Sequence, residues 1–262
     1  MGARMSDRIV FEIRDSVGWL TLNRPEQRNA LTFEMYERIR QICETLNPSE
    51  AKSLVICGAG GEAFAAGTDM SEFCAFSAPQ DAIAYEADMD AVFTAIERCP
   101  VPTVAAITGA CTGGGGAIAA CCDLRISDRA LKFGFPIART LGNCLAVKTL
   151  SRLTALIGHA RVSEMIFTAR LIGAEEALSV ALVSEVHADA DAVMARAEEL
   201  AQMMAGFAPL TLRAAKEALR RLRFEGAGAN DDDLVTQCYM SSDLREGISA
   251  FLGKRKPNWQ GE

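Results

Sequence analysis

The chain is predicted to be a mixed α/β fold closed by a layer of helices. Two patterns lead there. Through roughly the first 190 residues, short β-rich runs alternate with longer stretches of helical periodicity. After Ala190, four successive stretches carry helical patterning with no strand signal between them.

In chain order, residues 9–14 and 17–22 predict a strand pair with a tight turn at Asp15-Ser16. Thr32 is placed to cap a helix reaching about residue 46, with Met35, Ile39, Ile42 and Leu46 on one face. Residues 53–57 form a short buried strand that ends at Gly58-Ala59-Gly60-Gly61. Pro79 suits the first turn of a second long helix running to about residue 98. Pro100 and Pro102 force an extended entry into a strand over 103–107. The glycines 113–116 precede a helix-forming run at 117–120, and residues 123–127 return as a strand. The closing helices are predicted at 190–206, 209–224, 231–240 and 242–252, with Gly226-Ala227-Gly228-Ala229 as a connector.

Composition narrows the function classes. The 262 residues carry a formal charge of −7 and no long Lys/Arg run, which excludes a phosphate-backbone groove for nucleic acid. Nine cysteines, an odd number without a Cys-x-x-Cys pair, predict reduced core thiols in a cytoplasmic protein. With His159 and His187 as the two histidines, no zinc site is expected. Residues 1–8 lack an apolar segment, so no secretory signal is expected. The longest near-apolar stretch, 101–122, is broken by Pro102 and five glycines, so no membrane span is expected either.

Two glycine-containing turns carry the chemistry. Ala63-Phe64-Ala65-Ala66-Gly67-Thr68-Asp69-Met70 follows the strand at 53–57, and a helix is expected to start near Asp69. Gly113-Gly114-Gly115-Gly116 follows the strand at 103–107. Small residues let the backbone approach a ligand and leave amide hydrogens outward. One amide from each turn would make a two-donor hole for a thioester oxyanion. A tight turn or a packing contact explains either glycine run equally well. Neither turn matches a Walker or dinucleotide fingerprint.

Five blocks in order resemble the crotonase superfamily, the enoyl-CoA hydratase/isomerase family. They are the run from Leu22-Asn23-Arg24-Pro25 to Asn29-Ala30-Leu31, Ala63 to Asp69, Gly109 to Gly115, Cys122-Asp123 with Phe133-Gly134-Phe135-Pro136, and Asp243 to Lys256. The resemblance implies a spiral core of repeated β-β-α units over 1–195. A C-terminal helical segment over 196–262 would build trimers, often paired into hexamers. It implies an acyl-CoA substrate, with coenzyme A arriving as part of that substrate and no permanently bound cofactor or metal. It places oxyanion amides at Thr68 and Gly114. It assigns coenzyme A contacts to Arg28, Ala30, Ala66, Asp69 and Met70, and to Phe251 and Lys254, these last two in the same or a neighbouring copy. Arg28 and Lys254 read equally as solvated surface cations, and Lys254 also suits a helix C-terminus.

The chain departs from the family pattern where hydratases carry two glutamates. Ala117 and Ile137 stand there, and Leu145 and Ala146 occupy the isomerase acid register. Neither alanine nor isoleucine can move a proton, so two-glutamate hydration is not expected. Arg139, Thr140, Asn143 and Cys144 are the pocket candidates in the replacement loop. Asp69, expected as a cap, Glu72, expected to be exposed, and Tyr239 are weaker ones. Cys144 is expected to be a core thiol. The reading is a lyase or isomerase of fatty-acid metabolism; the alternatives are an acyl-CoA decarboxylase or hydrolase, or a non-catalytic acyl-CoA-binding pseudoenzyme.

Overall fold

The computed structural model describes residues 8–262, so the secretory-signal expectation lies, but for Arg8, outside the described residues. β1 (Ile9–Arg14) and β2 (Val17–Leu22) form an antiparallel hairpin. Asp15 and Ser16 take φ of 48° and 62°, the left-handed pair whose twist matches a two-residue hairpin. α1 (Phe33–Thr45) starts where Thr32 Oγ1 accepts the Met35 N–H at 3.3 Å.

A strand–strand–helix unit then repeats three times. The first unit is β3 (Ser53–Gly58), β4 (Ala63–Ala65) and α2 (Pro79–Glu97). The second is β5 (Thr103–Ile107), β6 (Ala110–Thr112) and α3 (Gly114–Cys121). The third is β7 (Leu124–Asp128) and β8 (Lys132–Gly134), followed by the short α4 (Ile137–Thr140) and the long α5 (Val147–Phe167). After it come β9 (Ile172–Gly173), α6 (Ala174–Ser179) and β10 (Glu185–His187).

The first strand of each unit enters a six-stranded sheet of order β1-β2-β3-β5-β7-β10, parallel except for the hairpin. The second strand enters a four-stranded sheet of order β4-β6-β8-β9. This is the expected β-β-α spiral. The larger sheet is apolar on both faces, as a covered parallel sheet must be. Leu20, Leu54, Ile56, Ala105 and Ile107 pack with Tyr36, Ile39, Phe93 and Ile96 in one core.

Trp19, Val55, Val104 and Ile126 point to the other face, under α7 (Ala190–Ala205), whose Val193, Ala197, Leu200 and Ala201 are buried there. The expected division at 195/196 therefore falls inside a helix that belongs to the sheet core. The helices that stand outside are α8 (Pro209–Glu225), α9 (Asp232–Tyr239) and α10 (Ser242–Leu252). Asp123 ties them inward: its Oδ2 accepts from Thr103 N–H, Thr103 Oγ1 and Lys216 Nζ at 2.7–2.8 Å.

Two further expectations need correction. The helix expected after the glycine run begins inside it, at Gly114, with Gly113 as N-cap at φ 52°. A Cβ on Gly115 would lie 2.4 Å from the Ala65 carbonyl oxygen, so only glycine lets α3 sit against β4. The thiols are not uniformly core: Cys74 and Cys144 are exposed and Cys238 is half-buried, although all nine are free. Among the described residues, no helix is long and apolar enough to cross a membrane.

Candidate active site

The loop after β2 and the loop after β4 are laced together. Buried Asn29 accepts the Arg24 N–H and donates to the carbonyls of Ala59 and Ala63. Arg24 bonds Asp69 at 3.0 Å and the Ala30 carbonyl at 2.6 Å. Ala66 N–H donates to the Arg28 carbonyl. Leu31 N–H donates to Gly67 O and Asp69 N–H to Leu31 O, both at 2.8 Å. In that parallel bridge Thr68 is the skipped residue, so its N–H faces away from Leu31.

The two glycine-containing bends touch. A Cβ on Gly113 would lie 3.4 Å from Gly67 Cα, and one on Gly114 would lie 3.2 Å from Thr68 Oγ1. Gly114 is the first residue of α3, where N–H groups have no partner within the helix. Neither the Thr68 nor the Gly114 N–H has an acceptor among the described residues. Both residues line one cavity of about 320 Å³.

That cavity is mostly apolar. Ala117, Ile137, Leu145 and Ala146 all line it, so the positions where the resemblance expects acids do face the space and carry hydrocarbon. A hydroxyl chain crosses its floor: Tyr36 Oη lies 2.9 Å from Thr68 Oγ1, which lies 3.5 Å from Tyr85 Oη. Burial pushes both phenols up from their ordinary pKa, so they remain neutral hydrogen-bond groups. Phe33, Phe73 and Phe76 surround the Tyr85 ring at 5.0–5.9 Å.

Among the described residues, one acid lines the cavity, Glu86 on α2. It is half-buried and has no hydrogen-bond or ion-pair partner among the described residues. Burial raises its pKa above the ordinary 4.5. Residue-by-residue reading missed it, together with Tyr36 and Tyr85. The signal was spacing: Glu86 falls at i−3 and i−7 from Met89 and Phe93, on the apolar stripe of its helix.

The predicted site residues divide. Thr68, Gly114, Ala66, Met70, Thr140, Asn143 and Cys144 line the cavity. Thr140 Oγ1 is engaged with the Pro136 carbonyl at 3.0 Å. Cys144 is exposed rather than a core thiol, because its loop runs along the cavity mouth. Arg139 is exposed and does not line the cavity, since the single turn of α4 directs it outward.

Arg28 is exposed at φ 50°, beside Ala66 through its carbonyl. Asp69 is a cap, accepting from Ser71 and then Arg24, which hold its carboxyl below the usual range. Glu72 is half-buried rather than exposed, because its Oε2 accepts the Phe33 N–H at the start of α1. Tyr239 and Phe251 belong to a separate apolar groove on α8–α10, and Lys254 closes α10 at φ 51°. Within one chain these three do not line the cavity.

The geometry invites comparison with known proteins. The sequence model of the family described as enoyl-CoA hydratase/isomerase matches residues 12–262. The chain is 30% identical to the short-chain-enoyl-CoA hydratase of Clostridium acetobutylicum, over 95% of this chain and 96% of that one. It is 34% identical to an enoyl-CoA isomerase/hydratase of Mycosarcoma maydis, over 93% and 92%. Among solved structures, an enoyl-CoA hydratase/carnithine racemase from Magnetospirillum magneticum superposes with a TM-score of 0.89 at 32% identity, covering 98% of this chain and 96% of that one.

Proposed function

The chain belongs to the enoyl-CoA hydratase/isomerase family, a family of enzymes, and on that footing we propose that it binds an acyl-coenzyme A thioester with the carbonyl oxygen between the N–H groups of Thr68 and Gly114. The observation that carries this reading is the pair of unused N–H groups on two touching bends, both opening on one cavity. Charge gathers on the carbonyl oxygen when the thioester forms an enolate, and each such donor contributes about 10²–10³ in rate. Neutral Tyr36, bonded to Thr68 Oγ1, keeps the second wall of the hole polar without adding charge.

Water addition by two glutamates does not fit a lining that has Ala117 and Ile137 at those positions. The reading favours chemistry that needs the enolate and few proton-transfer groups. Ala66 and Met70 line the cavity, and with Arg28, Ala30 and Asp69 nearby in the chain they would contact the coenzyme A arm as it leaves. Phe251, 84% exposed on the α8–α10 groove, and Lys254 would act from a second copy seated on that groove, giving a trimer or a hexamer. Nine free thiols suit a reducing compartment such as the cytoplasm.

Infrared difference spectroscopy tests the central claim. On binding an acyl-CoA with an isotope-labelled thioester carbonyl, the carbonyl stretch should fall in frequency. Calorimetric binding with an unshifted stretch would reject the two-donor hole. Sedimentation at micromolar protein tests the second part: a lone monomer at all concentrations removes the role of Phe251 and Lys254.

A further inference from the structure

Most acidic groups on α2 have an identifiable structural task. Asp81 accepts the N–H groups of Ser77 and Ala78 at the helix start. Asp90 binds Lys148 and Arg152, and Glu97 binds Arg152 through both oxygens. Glu86 lies between these anchored positions and lines the cavity, with no ion-pair partner among the described residues. A half-buried carboxyl facing apolar surface without a partner costs stability, and sites of chemistry are where such groups are retained.

We propose that Glu86 is the acid–base group of this cavity and moves a proton between the α and γ carbons of a β,γ-unsaturated acyl thioester. The assignment rests on the thioester-binding reading above and supplies the group that reading lacks. The Glu86 carboxylate takes the α proton, and the C–H electron pair becomes the enolate whose oxygen sits between the Thr68 and Gly114 N–H groups. The electrons then return through the chain: the carbonyl reforms, the α,β double bond forms, and the γ carbon takes the proton back from Glu86. Nothing is oxidised, no water is consumed, and one carboxyl serves both half-steps. A single-carboxyl cavity suits this reaction where it does not suit hydration.

Burial favours the role, since a carboxylate whose pKa is raised above the ordinary 4.5 takes the α proton more readily than a solvated one. The other titratable groups around the cavity are Tyr36 from α1, Tyr85 from α2 and Cys144 from the 141–146 loop. Asp90, one turn along α2, is already bound to Lys148 and Arg152 of α5.

The test uses the full chain with a short 3-enoyl-CoA. Binding is read by calorimetry, conversion by the rise of conjugated-thioester absorbance, and exchange by deuterium uptake from heavy water. Wild type should convert and exchange, with kcat/KM falling as pH drops through the raised Glu86 pKa. Glu86→Gln should bind within about twofold of wild type and lose about 10²–10⁴ in conversion and exchange. Glu86→Asp should keep part of the rate.

Undiminished conversion by Glu86→Gln overturns the assignment, as does a wild type that binds but neither converts nor exchanges. A wild type that fails to bind any acyl-CoA overturns the ligand class, and this assignment with it. Cys144→Ser tests the competing thiol: a loss equal to that of Glu86→Gln would move the role to Cys144 and reject Glu86.

Discussion

The middle and the C-terminal end of α2 treat a carboxylate in opposite ways. Near its C-terminus, Glu97 is 6% exposed, accepts Arg152 Nε and Nη2 at 3.0 Å each, and forms an ion pair with Arg223 Nη2 at 2.6 Å. Eleven residues earlier, Glu86 borders an open cavity and is paired with nothing among the described residues. The C-terminal end crosslinks α2 to α5 and α8, while the middle faces the space between the two glycine bends. Pairing marks the acid that builds the molecule, and its absence marks the acid that is free to exchange a proton. Asp90 stands between them: burial pushes its carboxyl up, but Lys148 and Arg152 outweigh that and hold it low.

The contrast can be broken most severely at Arg152. Arg152→Ala leaves Glu97 buried with Arg223 as its remaining cation. It should cost about 3 kcal/mol in urea unfolding, the low end for a broken buried pair. A loss below about 1 kcal/mol would mean that the paired end is not a structural crosslink.

Next in size is Gly114→Ala. Its Cβ would fall 1.7 Å from Tyr36 Oη but 3.0 Å from the nearest ring carbon. The single variant should lose about 1–3 kcal/mol to overpacking. Tyr36→Phe in the same chain should recover much of that, and a double-mutant cycle measures the coupling. Strict additivity would show that the hydroxyl does not press on the bend.

The smallest effects lie in pH dependence, where the paired and unpaired acids should differ in sign. Glu217 is held at about 2 by hydrogen bonds from Arg220 and then Arg221. Its contribution is present above the ordinary 4.5 and is lost as pH falls toward 2. Melting of Glu217→Gln should therefore lie below wild type at neutral pH, and the gap should close on acidification. The Glu86 pKa is raised, so ionisation disfavours its folded state once pH rises above 4.5. Glu86→Gln should melt at or slightly above wild type at neutral pH, with the difference vanishing in acid. Equal signs for the two variants would erase the distinction.

Legibility in the sequence followed element length and spacing. The hairpin turn at Asp15-Ser16 and the Thr32 cap were readable because they depend on local chemistry. β4, β6 and β8 were not, because three residues cannot show an alternating pattern. The four glycines read as a turn before a helix, yet three of them form its first turn, and that follows from the tertiary approach of Ala65. At the site, both bends were legible from their glycines and from the family resemblance. Glu86 was not, because one acid among five in a 19-residue helix looks like part of a solvated face until the cavity beside it is known.

The position of Cys144 has a practical consequence. Six of the nine thiols are buried, and the two exposed ones are Cys74 and Cys144. Replacing Cys74 with serine therefore leaves one readily labelled sulfur, on the loop that borders the cavity. A fluorophore attached there would report occupancy directly, as a change in emission when a guest enters, with no turnover required. The protein thus offers a place for its own sensor.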